Sequence, residues 1–367
     1  MGHKPQPRKI DISGIVSGYV LRLARESIPR TQNGLAEDLE VDLATLQGWE
    51  SGRRPLANVK AGALLDLRRR LPALGADSEL VQLLDAAMDA DRILSGALSP
   101  PLRLEQHPLG EWVHTRATAH MFAWAVNGTP PPMLANRPAP RRRGAVPTAP
   151  IIPVQQRLQL FTHLRDVAEG ASSTSAAGVL LRRQAAYLTS YDDSPDTSAW
   201  TAHVLHKGRG ALSVHGWSSL WPEARSTATA LARQGDPQPL RDFIERALVD
   251  DDAGEAANLN YWAYWLGAAS RPQPSDLFMR DRELTGWDPI TLLRLLTRGL
   301  QEAPTYVELY AHSIWALVHA YPWLPQAAPS VARVLGERVG KILDHNMISP
   351  RSRRDLCAVQ YQLGDRT

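Results

Sequence analysis

A single cysteine, Cys357, stands in 367 residues. It excludes an internal disulfide and removes the usual thiolate zinc arrangements, which makes a reducing cytoplasm the expected home. No apolar run approaches the roughly 18 residues of a membrane span. The basic, polar N-terminal stretch has nothing like the apolar core of a signal peptide, so no membrane partner is expected. Neither sign of charge dominates: 41 Lys and Arg face 38 Asp and Glu, giving a formal net charge of +3 and a pI near 9.1. So small a bulk charge does not establish nucleic-acid binding, and any such function must rest on a motif. Strand signals are almost absent, and an all-α fold is expected. With 44% hydrophobic and 22% charged residues the composition is otherwise ordinary for a globular protein, and the length allows two or three domains.

Catalytic signatures are missing as well. His203 and His206 share a helix face, as do Glu308 and His312, but neither pair has a third ligand at recognisable spacing. The serine-rich ASSTS at 171–175 lacks the glycine pattern of a nucleophile elbow. KGRG at 207–210 lacks the strand and terminal residues of a phosphate loop. Asp250, Asp251, Asp252 and Glu255 cluster without the alternate spacing of a calcium loop. No catalytic residue, metal or cofactor is expected.

What is present is concentrated in residues 31–55, TQNGLAEDLEVDLATLQGWESGRRP. Thr31 is a good N-cap, and Leu35, Ala36 and Leu39 fall on one side of the helix that follows. Asp42 offers a second N-cap, after which Leu43, Leu46 and Trp49 recur at three-residue intervals until Gly52 and Pro55 forbid continuation. Two short helices and a tight turn are about the smallest unit that reads DNA. Ala36 suits the point where they cross, since a larger side chain would push them apart.

The spacing of Thr31, Gln32, Leu35, Ala36, Leu39, Val41, Thr45, Leu46, Trp49, Glu50, Gly52, Arg53, Arg54 and Pro55 resembles the Cro/C1-type (XRE) repressor family. The resemblance covers the N-terminal domain and is silent about the rest. It implies that Gln32 hydrogen-bonds a backbone phosphate, and that Asp42, Leu43, Ala44, Thr45, Gln47 and Gly48 face the major groove. It also implies an internal ion pair between Arg25 and Glu50; the alternative is a solvated surface pair worth almost nothing. Two departures stand out. Glu40 occupies the turn where the family usually has glycine, and a non-glycine residue in the left-handed region costs roughly 1 kcal/mol. Of the base-facing positions only Thr45 and Gln47 carry side-chain amide or hydroxyl groups. Gln47 can pair with adenine, and Ala44 or Thr45 can touch a thymine methyl, but a bidentate arginine contact to guanine is not expected there. Specificity would then lean on other elements or on DNA shape.

Around this motif the chain reads as four regions. Residues 1–75 form the DNA-binding domain: a basic arm with Lys4, Arg8 and Lys9, a helix from Ser13 to about Glu26, the helix-turn-helix, and a fourth helix from Leu56. Arg68, Arg69 and Arg70 end that helix, where they complement its dipole or contact DNA. Arg53 and Arg54 follow the recognition helix and are expected on phosphates. Residues 76–127 are a helical extension, either a dimer face or more core. Residues 128–153 are a proline-rich linker holding Arg141, Arg142 and Arg143, either solvated or on DNA. Residues 154–367 are an all-helical domain, a bundle or an α-solenoid of the tetratricopeptide kind. Its NLNYWAYWLGAAS segment places Asn258, Tyr261, Trp262 and Trp265 either in a buried central helix or on a ligand or partner surface.

Two functions follow. The first is a sequence-specific transcription regulator, a homodimer on an inverted-repeat duplex operator, whose C-terminal domain dimerises or senses a small molecule, peptide or protein. The second is a helical-repeat interaction scaffold with the helix-turn-helix as an accessory module.

Overall fold

The computed structural model describes residues 13–101, 103–135, 137, 147–172, 174–213, 215–269, 271–345 and 348–364. Lys4, Arg8, Lys9, Arg141, Arg142, Arg143 and the side chain of His206 lie outside the described residues. Every regular element among the described residues is helical, so the fold is all-α. None of these helices is long and apolar enough to cross a membrane. The chain forms two compact units, one of residues up to 109 together with 117–169, the other of 110–116 and everything from 170.

In order, the helices bearing on the first unit are α1 (Ile15–Glu26), α2 (Gln32–Asp38), α3 (Leu43–Glu50), α4 (Ala61–Ala73), α5 (Ser78–Leu98), α6 (Pro108–Glu111), α7 (Arg116–Asn127), α8 (Pro132–Ala135) and α9 (Val154–Gly170). Their core forms where α1 lies along α5 and across α3. Val16, Val20, Leu21 and Ala24 of α1 and Leu80, Leu84, Ala87 and Leu94 of α5 are fully or almost fully buried. α1 starts at Gly14, which has no side chain to cap it. Asp91 of α5 supplies the cap instead, accepting from the Val16 and Ser17 amides at 2.8 and 2.9 Å. The carboxylate thereby satisfies two of the donors that a helix start leaves orphaned.

The proline-rich stretch does not separate the two units. Ile152 is buried and its amide donates to the Ala125 carbonyl at 2.9 Å. The Tyr19 hydroxyl donates to the Thr148 carbonyl, and Phe161 of α9 meets Phe122 of α7 edge-on at 6.3 Å. Proline fixes backbone angles but does not stop flanking apolar residues from packing. The division expected at residues 128–153 therefore falls after α9, around residue 170.

The second unit holds α10 (Ala176–Thr189), α11 (Pro195–Leu212), α12 (Trp221–Arg233), α13 (Gln238–Ala247), α14 (Asp252–Trp265), α15 (Pro289–Glu302), α16 (Val307–Ala320), α17 (Leu324–Ala327), α18 (Pro329–His345) and α19 (Pro350–Gly364). Among consecutive helices, α11 packs on α12, α12 on α13, α15 on α16 and α18 on α19, and α16 also touches α13, α14 and α19. The acidic cluster has a local use here: the Asp251 carboxylate accepts from the Gly254 amide and caps α14.

Candidate nucleic-acid interface

Thr31 starts α2 by accepting from the Gly34 amide at 3.1 Å, a cap worth about 1 kcal/mol. α2 ends in paired turns: the Glu40 amide donates to the Glu37 carbonyl and the Val41 amide to the Ala36 carbonyl. That is the Schellman arrangement, which requires a left-handed residue at Glu40. Glu40 takes it, with φ 57°. Arg70 steadies this non-glycine turn, donating to the Asp38 carbonyl at 2.6 Å and to the Glu40 carboxylate at 2.8 Å. Arg68 pairs with Asp85 at 2.8 Å. Both arginines thus have partners within the first unit.

Ala36 is buried, and a close helix approach lies at Gly18. A Cβ on Gly18 would stand 2.3 Å from the Trp49 carbonyl oxygen and 3.0 Å from the Gly52 nitrogen. Gly52, with φ +74°, closes α3 in the left-handed region, where a Cβ would meet the Gly14 carbonyl carbon at 2.7 Å. These contacts set how closely α1 and the end of α3 approach.

Glu50, the last residue of α3, is buried at the centre of this arrangement. Its carboxylate accepts from Arg25 Nε at 2.5 Å, Arg25 Nη2 at 3.2 Å and Gln32 Nε2 at 2.7 Å. Arg22 donates to the Glu50 main-chain carbonyl at 3.2 Å. The internal Arg25–Glu50 pair is therefore present, and it ties α1, α2 and α3 together. Gln32 has a different place from the one the resemblance implied. Its amide joins the Glu50 cluster, so only its remaining polar groups are left for a phosphate.

On the outer side of α3, Asp42, Leu43 and Ala44 are exposed and Thr45 and Gln47 half-buried. Asp42 holds the N-cap position without a side-chain hydrogen bond to the helix, which leaves its carboxylate free to accept from a cytosine amino group. Gly48 is not a base-facing residue. It is buried under Arg54, whose Cδ and Cγ would lie 2.9 and 3.1 Å from a Cβ there. The absence of a side chain at Gly48 lets Arg54 fold back over α3, and Arg54 Nη1 donates to Thr45 Oγ1 at 2.8 Å. This carries a guanidinium onto the face where the sequence offered Thr45 and Gln47, so an arginine contact to guanine becomes available. Arg53 stays exposed, donating to Ser51 Oγ at 3.1 Å. A glycine six residues before an arginine is too common a pattern to have shown this.

The sequence also pointed to Asn258, Tyr261, Trp262 and Trp265 in the second unit. Asn258, Tyr261 and Trp262 are buried, and only Trp265 is part-exposed, so these residues do not make an open surface. From Ala256 to Tyr264 every residue of α14 is buried, the aromatic ones included. Asn258 Nδ2 and Trp262 Nε1 both donate to Ser313 Oγ of α16 at 2.8 Å. Beside them lies a group the sequence did not suggest. Arg225 of α12 is 5% exposed, stacked 4.0 Å from the Tyr261 ring and 4.8 Å from the Trp262 ring. Burial pulls its guanidinium down to about 10, so it is still charged at neutral pH. Two desolvated cation–π contacts are worth roughly 2 kcal/mol each, against a burial penalty of several kcal/mol for an ion.

Glu308 and His312 do not act together. Glu308 accepts from Arg241 and Ser349, whereas His312 Nδ1 lies 3.1 Å from Asp355 Oδ2. Among the described residues no cluster of three metal-ligating side chains occurs. Comparison with protein-family models, curated proteins and solved structures finds no match to this chain.

Proposed function

We propose that the chain is a sequence-specific DNA-binding transcription regulator, with α3 as the helix that enters the major groove. The observation that carries this reading is the pairing of a rigid inner side with a reactive outer one. Glu50 and Gly18 lock α3 from within, and its outer face presents Asp42, Leu43, Ala44, Thr45 and Gln47, with the guanidinium of Arg54 held on Thr45. Preorganised readers of this kind discriminate bases without an ordering cost on binding. Arg53 contacts phosphate, Gln47 reads adenine, and Arg54 reads guanine. One short helix with so few readers gives modest affinity alone, which favours a dimer on an inverted repeat.

Competitive binding of the full chain to variant duplexes separates these roles. Arg53→Ala is expected to weaken all duplexes alike and to lower the salt slope by about 1. Gln47→Ala and Arg54→Ala are each expected to lose about 1 to 3 kcal/mol of discrimination at one base pair. Unchanged selectivity in both would remove α3 from the groove.

A further inference from the structure

The buried Arg225 belongs to a row of groups that no part of the DNA-binding reading uses. Arg233 stands eight residues further along α12, so the two Cα atoms lie about 12 Å apart at 1.5 Å rise per residue. Tyr187 of α10 lies along the same row: its hydroxyl accepts from Arg233 Nη2 at 2.8 Å, and it is close enough to act on Arg225 electrostatically. Arg233 also donates to the Tyr306 hydroxyl at 3.1 Å and lies 4.5 Å from the Tyr191 ring. Trp265 meets Tyr187 edge-on at 5.6 Å.

The charges in this row do not balance. Arg183, whose field also reaches Arg225, is paired with Asp276 at 2.6 Å. Among the described residues neither Arg225 nor Arg233 has a carboxylate within ion-pair distance. Their partners are an amide oxygen, hydroxyls and ring faces. The Nη2 of Arg225 is buried with no hydrogen-bond partner, and its Nε reaches Asn258 Oδ1 at a long 3.4 Å. Buried cations are ordinarily paired, and a lone guanidinium presents a planar edge of donors that matches a carboxylate or a phosphate. Tyr187, Tyr191, Trp265, Tyr306 and Arg233 are all part-exposed, so the row reaches solvent at the Arg233 end while Arg225 lies deep.

We propose that this row is a binding site for a small oxyanion ligand, a carboxylate or a phosphoryl group, held by the free edge of Arg225 and by Arg233. The rings of Tyr187 and Trp265 take its apolar body. A macromolecular partner does not fit, because the deepest cation lies in the core of the unit. The site is independent of whether the first unit binds DNA.

The test is a calorimetric titration of the full chain with inorganic phosphate and with acetate at constant ionic strength, repeated on Arg225→Gln and Arg233→Gln. One saturable site per chain is expected, tighter for phosphate if the ligand is phosphorylated and for acetate if it is a carboxylate. Arg225→Gln should weaken it at least tenfold with unchanged circular dichroism. Should that variant fail to fold, the part-exposed Arg233→Gln decides, with a fivefold loss expected. No saturable binding of either anion to the natural chain, or binding that the folded variants leave unchanged, overturns the site.

Discussion

Replacing Glu50 by alanine is expected to cost the first unit about 3 to 5 kcal/mol, since it removes the acceptor from a buried, charge-assisted cluster and leaves its donors behind. Arg25 loses both its contacts to Glu50, and Gln32 loses its bond. A typical domain has only about 5 to 15 kcal/mol in total, so this is a large share. Hydrogen exchange followed by mass spectrometry should show protection collapsing over residues 15–50 and largely kept beyond residue 170. Duplex binding should be lost with it. Glu50→Gln, which keeps an acceptor oxygen, should lose less. A change below about 1 kcal/mol in Glu50→Ala would mean that the cluster behaves as a solvated surface pair.

The second large effect is steric. Gly18→Ala places a methyl 2.3 Å from the Trp49 carbonyl, and the obstacle is backbone, which cannot swing aside as a long side chain would. α1 and α3 must part, at about 3 kcal/mol or more. Gly62→Ala is the matched control. Gly62 lies in α4 with nothing within 4 Å of a Cβ, so the same change there should be neutral or stabilise by up to about 1 kcal/mol. Thermal unfolding of the two variants side by side measures the difference. Equal stability would contradict the crossing of α1 and α3 at Gly18.

The parts legible in the sequence are those decided over a few residues. The cap at Thr31, the start of α3 after Asp42, the left-handed Glu40, the stop at Gly52 and the periodic apolar positions of α1 to α3 all depend on near neighbours. Most of the missed features depend on residues far apart. Nothing near Gly14 announces that Asp91 caps α1 from 75 residues away. The fold-back of Arg54 depends on a glycine six residues earlier, and the Gln32 amide is diverted by a carboxylate 18 residues on. The proline-rich stretch misled for a related reason. Composition described its backbone, but Ile152 and Phe161 decided which unit it joins. In the second unit, aromatic crowding in α14 was visible, whereas the arginine that enters it comes from α12.

The proposed function is tested most directly by selecting duplexes from a random-sequence pool with the purified full chain, at moderate salt, and sequencing what is retained. An enriched inverted repeat is expected, with half-sites about 34 Å apart or a multiple of that. Each half-site should carry a guanine whose enrichment disappears in Arg54→Ala. A retained pool indistinguishable from the input, at low as well as moderate salt, would contradict DNA recognition by α3.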